Sequence, residues 1–177
     1  MHKALMLFFI VFIYACLGDG VPSQKEVEKE VQALTTLELK RNYLEDILYE
    51  IQSMQFEEES MLFREDVSEK QTSGFLKRKE RLNQINAYKI KSYFENFGYP
   101  SRAELGQYAA FAPIAVVLHT DDLSALNEEQ FRYFYGAYKF NDIPEEFFLS
   151  YLKAYYQKVT GQSYPDDPSL SIAASIT

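Results

Sequence analysis

Tryptophan is absent from this chain, cysteine occurs once, and histidine occurs twice. A lone cysteine can form no internal disulfide, so the fold has to rest on its packed core. It also leaves only histidine and carboxylates for zinc, a poor set for a structural site. Basic residues are outnumbered, with 18 Lys and Arg against 26 Asp and Glu, a formal charge of −8 and a pI near 4.9. Nucleic acid, whose phosphates demand a basic face, is excluded as a partner, and electrostatic attraction to anionic lipid is disfavoured. No apolar run reaches the roughly 20 residues of a membrane-spanning helix. Period-two alternation is nowhere sustained, so no sheet is expected. Gly-x-Ser-x-Gly and glycine-rich phosphate loops are missing too, which leaves a thin catalytic inventory and implies no cofactor.

What is present begins with a short positive start, Met1-His2-Lys3, and an apolar run from Ala4 to Ala15. With a small-residue exit, this is the pattern of a secretory signal. Cys16 falls where the run ends, after Ile13-Tyr14-Ala15, and the element resembles the lipobox of bacterial lipoproteins. That resemblance implies residues 1–15 as signal peptide and Cys16 as a lipidated mature N-terminus on the cell envelope. The rival is cleavage after Gly18, giving a periplasmic or secreted soluble protein. Residues 16–22 read as a linker, 23–164 as one helical domain, and 165–177, with Pro165, Pro168 and then small hydroxyl residues, as a disordered tail.

From Ser23 the apolar residues recur at helical spacing. Ser23 and Glu26 form a capping-box pattern. Val27, Val31, Leu34 and Leu37, then Leu44, Ile47, Leu48, Ile51 and Met54, make one stripe. Neither proline nor glycine interrupts residues 23–73, so a long first helix is expected, with Thr35-Thr36 as its weak point. A coiled-coil stalk is the competing idea, but Arg41 interrupts the seam and favours packing on the chain's own domain. "SEKQTSG" is read as a turn. A second helix follows from Phe75 to about Phe97, with Leu82, Ile85, Tyr88 or Lys89, Ile90 and Phe94 inward. Its basic start, "LKRKERL", matches Glu57-Glu58-Glu59 across an antiparallel pair; an anion-binding patch is the alternative. "NFGYPS" then stops the helix. Gly98 can adopt the left-handed conformation, and Pro100 forces Tyr99 out of the helical region. Ser101 caps a third helix, Arg102 to His119, nearly all small and apolar, with a kink expected at Pro113. A fourth helix, capped by Asn127 or Ser124, carries Phe131, Phe134, Tyr135 and Tyr138. A fifth opens at Pro144, carries Phe147, Phe148, Tyr151, Leu152 and Tyr155, and ends at Gly161. The architecture expected is an all-α, single-domain bundle of about five helices.

"FENFGYPSRAELG" followed thirteen residues after Gly106 by His119 in "HTDD" resembles a bacterial family known only as a domain of unknown function. The shared pattern is Gly-Trp/Tyr-Pro-Thr/Ser, a glycine a few residues on, and a histidine closing the next helix. The resemblance spans about residues 45–164 and includes "FEEESMLFRE" and "ERLNQINAYKIKSYFENFG". The corner at Gly98, Pro100 and Gly106 is expected to be structural, and the resemblance supplies no activity. The family's last helix carries a polar pair where this chain has Lys153-Ala154, so any site using that pair is altered here.

His119 is the one histidine that would survive signal cleavage. With Asp121 and Asp122 it has the groups for metal binding or acid–base work, and a helix C-terminus favours its protonated form. The competing reading makes it the polar end of a buried helix, bonding backwards to a free carbonyl or sideways to an aspartate. The 14 Tyr and 14 Phe could form glycan platforms, but their helical spacing points to a core, with Tyr133, Tyr156 and Tyr164 the surface rings. Three functions compete. The first is a non-catalytic envelope binding module, its partner an envelope protein or small ligand. The second is a small hydrolase-like or metal-dependent enzyme using His119 with Asp121 or Asp122. The third is an oligomerisation element built on the first helix.

Overall fold

The structure, a computed structural model, describes residues 22–120 and 128–165. Among these residues it is all-α with no strand, in seven helices rather than five. Cys16, the proposed caps Ser124 and Asn127, and Asp121 and Asp122 lie outside the described residues, as do residues 166–177 of the tail. Among the described residues no helix is long and apolar enough to cross a membrane.

The two extra helices come from two breaks. Helix α1, Gln24–Gln32, starts on the expected capping box: the Ser23 N–H donates to Glu26 Oε2 at 2.7 Å, and the Glu26 N–H to Ser23 Oγ at 3.4 Å. The chain leaves the helix at Ala33, and Thr36 goes extended (φ −121°) to cap α2, Leu37–Leu62, by accepting from the Leu39 N–H at 3.2 Å. A β-branched residue with a hydroxyl gains more as a cap than inside a helix. The second break is at Gly106, whose φ of 90° no helix allows; it divides α4, Arg102–Leu105, from α5, Gln107–His119.

"SEKQTSG" is helical, against expectation. Ser68 and Gln71 form a second capping box, with Ser68 N–H to Gln71 Oε1 at 2.8 Å, and α3 runs Glu69–Phe97 with Gly74 inside it. The turn is the shorter stretch between Leu62 and Ser68. The expected antiparallel pairing of α2 with α3 holds: Glu58 takes Lys79 at 2.9 Å, Glu57 takes Arg78, and Lys89 lies 3.7 Å from Glu50.

Helix α5 is the centre. Ala109, Ala110, Ala112, Ile114, Ala115, Val116 and Val117 are buried, and α2, α3, α4 and α7 all pack on it. Helices α6 (Glu128–Lys139) and α7 (Glu145–Thr160) close the body with a ring cluster. Phe94 stacks on Tyr133 at 4.7 Å, Phe134 meets Tyr151 at 4.5 Å, and Tyr138 stacks on Phe148 at 4.6 Å. Many of the aromatic residues are therefore core, while Tyr49, Phe56, Phe63, Tyr88, Tyr108 and Phe140 are exposed. Tyr133, expected at the surface, is half-buried in that stack; Tyr156 and Tyr164 meet edge to face at 5.4 Å.

The corner between α3 and α5 depends on backbone geometry that only a few residues allow. Gly98 (φ 73°) closes α3 and Pro100 is buried. Ser101 occupies the cap position of α4 but makes no side-chain cap bond; the Arg102 N–H donates instead to Asp142 Oδ1 at 2.7 Å. Arg41 reaches across from α2, its Nε donating to the Leu105 carbonyl at 3.0 Å and its Nη2 to that of Glu104 at 3.4 Å. The residue that interrupts the apolar seam is thus the C-terminal clamp of α4. Pro113 stands inside α5 and leaves the Ala109 carbonyl without its helical donor. On the adjacent carbonyl, Ala110, the Tyr99 hydroxyl donates at 2.8 Å.

Two outcomes follow. Gly98→Val should lower stability by about 1 kcal/mol or more, because the strain comes from φ alone: nothing lies within 4 Å of an added Cβ. Tyr99→Phe should cost about 1–2 kcal/mol by removing a donor from the disturbed turn of α5. Thermal melts of the two variants check both, and unchanged midpoints would contradict the account.

Candidate functional site

His119 ends α5 between α2 and α3, and these three helices bring five polar side chains together. Gln55 comes from α2 one turn beyond its last buried residue, Ile51, and Glu58 from the next turn. Lys79 and Asn83 come from one face of α3, four residues apart. The Gln55 amide nitrogen lies 3.2 Å from His119 Nδ1 and 3.0 Å from Nε2. An amide nitrogen only donates, so the ring nitrogen it engages must carry a lone pair. Asn83 Nδ2 donates to the His119 carbonyl at 3.2 Å. Lys79 holds both carboxylate oxygens of Glu58, at 2.9 and 3.0 Å.

Two expectations about this histidine are corrected. The helix-end carbonyl of residue 119 is satisfied, but by Asn83, not by the imidazole turning back on its own helix. The ring is also not held protonated by the helix end. Desolvation by the packed helices pushes its pKa below the usual histidine value, the Lys79 ammonium adds to that, and Glu58 opposes it. The residue is exposed to solvent, so these effects are modest in energy.

A neutral imidazole has the chemistry of a general base, but catalysis also needs an acceptor site in front of it. Here the ring faces an amide. Glu58, a carboxylate that acts on the ring electrostatically, is engaged by Lys79. A cleft of about 370 Å³ opens further along the hairpin, between Glu57, Met61, Arg64, Val67, Lys70 and Arg78, and His119 does not line it. Among the described residues no three His, Cys, Asp or Glu side chains converge as metal ligands. Whether Asp121 or Asp122 joins the cluster falls outside the described residues. Gly98, Pro100 and Gly106 are brought together at the opposite end of α5, as a corner with no role at this cluster.

Sequence reasoning finds His119 and the charged runs that hold Glu58 and Lys79, but neither Gln55 nor Asn83. Matching Glu57–Glu59 to "LKRKERL" gives the α2–α3 register and hence the Glu58–Lys79 pair. Nothing local indicates that α5 ends on top of that pair.

No family model matches the chain, and neither a curated protein nor a solved structure matches it. The likeness to a bacterial domain of unknown function rests on the motif residues alone.

The pH dependence of the cluster has a definite sign. A histidine whose folded pKa lies below its unfolded value, about 6.5, contributes stability that is present above that value. The contribution is lost as pH falls through 6.5 towards the folded pKa. The wild-type advantage in melting temperature over His119→Asn should therefore be larger at pH 7.5 than at pH 5. Equal gaps at the two pH values would contradict the neutral-ring assignment.

Proposed function

We propose that this chain is an exported cell-envelope protein, carried on a lipid at Cys16, whose helical domain is a non-catalytic binding or interaction module for an envelope protein or small ligand. The observation that carries the non-catalytic part is the state of His119. Its ring is engaged by Gln55 and its carbonyl by Asn83, and it does not line the cleft between Glu57 and Arg78. The export part rests on the sequence of residues 1–16. The family resemblance adds a corner motif and no chemistry.

The enzyme reading keeps one specific support. The lowered pKa leaves the imidazole neutral and able to accept a proton at ordinary pH, with Asp121 and Asp122 next in the chain. The oligomerisation reading has less support: Val27, Val31, Leu34, Leu44, Ile47, Leu48 and Ile51 are buried in the chain's own body, while Leu37 of the same stripe is exposed.

The mature N-terminus should be Cys16 bearing lipid, in the membrane fraction, by intact-mass spectrometry. A soluble chain beginning at Asp19 would refute the anchor. His119→Asn should lower the melting temperature modestly while cross-linking of the full chain to its envelope neighbours persists. A hydrolytic or metal-dependent activity abolished by His119→Asn at unchanged stability would transfer the assignment to the enzyme.

A further inference from the structure

The α2–α3 hairpin has two halves of different character. In the half nearer the body, Tyr43, Leu44, Ile47, Leu48 and Ile51 are buried. Beyond Ile51 no residue of α2 is, and the large apolar side chains there lie open: Phe56 is 74% exposed, Leu62 79% and Phe63 89%. Leu76, on the facing turn of α3, is 53% exposed. Phe56 and Phe63 are seven residues apart, hence on one line along the helix. Leu62 and Phe63 form the outermost point, where α2 ends, with Arg64 and Lys70 beside them. Charge does not explain this: residues 56–78 hold more acids than bases.

The direction in which the chain enters the domain identifies what faces this tip. Glu30 lies within electrostatic reach of Lys89 and Glu50, and Lys40 sits over the Phe97 ring at 3.6 Å. Between Glu30 and Lys40 the chain therefore climbs from the level of Lys89 to that of Phe97, away from the tip. Helix α1 packs on α3 and must run in the same direction as α3. Were it reversed, the residues between Gln32 and Leu37 could not span the rise. Gln24 then lies about 9 Å nearer the tip than Glu30, at 1.5 Å per residue. By the same rise, roughly 20 Å of hairpin separates the level of Gln24 from Ser68 at the tip. Residues 16–22, seven in all, extend to at most about 25 Å. An anchor at Cys16 is thus tethered on the tip side of the domain, by a linker about as long as the hairpin's overhang.

We propose that the α2–α3 tip is a membrane-contacting element: Leu62 and Phe63, with Phe56 and Leu76 behind them, enter the interfacial layer of the bilayer that holds the Cys16 lipid. The proposal rests on the reading of Cys16 as the lipid-bearing N-terminus. A tether of that length keeps the tip at high effective concentration next to the surface. Two exposed apolar side chains, too few for stable binding alone, then suffice to orient the domain. Arg64 and Lys70 can extend along the interface with their charges in water. The tip holds the hairpin upright or tilted on the bilayer and turns the aromatic body, with α6 and α7, towards the envelope space.

The absence of tryptophan supplies the test. Phe63→Trp places one reporter at the tip, at a position too exposed to perturb the fold, and Tyr108→Trp places one on α5 at the opposite end. Each full-length variant, purified from membranes, is reconstituted into phosphatidylethanolamine–phosphatidylglycerol vesicles with and without a bromine-labelled phosphatidylcholine. The tip reporter should emit at shorter wavelength than in detergent-free buffer and be quenched several-fold by the bromolipid; the α5 reporter should not be quenched. Adding Leu62→Glu to the Phe63→Trp chain should relieve the quenching. An unquenched tip reporter in a chain whose mass shows lipid on Cys16 overturns the tip assignment and leaves the anchor standing. Quenching of the tip reporter on adding vesicles to a chain without that lipid supports the tip and removes the anchor. A wavelength shift that grows with protein concentration and needs no lipid would assign the tip to a second copy and overturn the proposal.

Discussion

Helix α5 has no polar face, and the remainder of the fold is arranged around that constraint. A helix built from Ala109, Ala110, Ala112, Ile114, Ala115, Val116 and Val117 cannot face water on any side without exposing apolar surface. It therefore needs neighbours on all sides, and its small side chains let those backbones come close. Two of its carbonyls, one at its end and one beside Pro113, have specific side-chain partners. Asn83 takes the carbonyl of His119, and Tyr99 takes that of Ala110 beside the proline break. At the start, Gly106 opens the helix while Arg41 clamps the carbonyls of α4 just before it. Loss of any of these would leave a partly buried acceptor unpaired, which costs more than the bond itself contributes.

Body and hairpin are consequently unequal in stability. The body is held by buried rings and aliphatic residues converging on α5. The outer half of the hairpin has Phe75 as its one buried apolar side chain on α3, plus the ion pairs Glu57–Arg78 and Glu58–Lys79. Pairs as exposed as these contribute about 0–1 kcal/mol each. Its strength lies in local terms: two long helices, a capping box at Ser68, and the Arg64–Asp66 pair across the turn at 3.0 Å. Regions with few buried contacts open before the global unfolding transition, so the outer hairpin is the part of the molecule able to adjust to a surface.

Much of this is legible in the sequence because it is local. The Ser23–Glu26 box, the stripe of Val27, Val31, Leu34, Leu44, Ile47, Leu48 and Ile51, the stop at Gly98 and Gly161, and the helical spacing of Phe131, Phe134, Phe148 and Tyr151 each state their role within a turn or two; Leu37, on the same stripe, is exposed. The errors also have local causes. "SEKQTSG" has the composition of a turn, but Ser68 with Gln71 three positions on is equally a helix start, and the apolar Phe75 downstream decides for helix. Arg102 to His119 reads as continuous because Gly106 inside an apolar helix is tolerable; its positive φ belongs to the corner and to Arg41, which lies 64 residues from the Leu105 carbonyl it clamps. The His119 cluster is beyond reach for the same reason. Its register partners are readable, but the helix that ends on them arrives through tertiary packing alone.

The histidine itself shows why geometry had to decide. A helix end that needs only a donor for its last carbonyl is served by Asn83, and the imidazole is not required for it. What His119 adds is an acceptor for the Gln55 amide, and that role demands a neutral ring. Lys79 and the packed helices keep the ring neutral, whereas the negative end of α5 and Glu58 favour the charged form. Burial and Lys79 prevail, so protonation removes an acceptor from Gln55 and adds a cation beside an ammonium. The joint between the body and the outer hairpin is therefore weakest in acid, at the turn of α2 where the buried stripe gives way to exposed rings. A group suited by residue type to be a base is used here as an acceptor for Gln55, and it stays in that role only as long as its ring carries no charge.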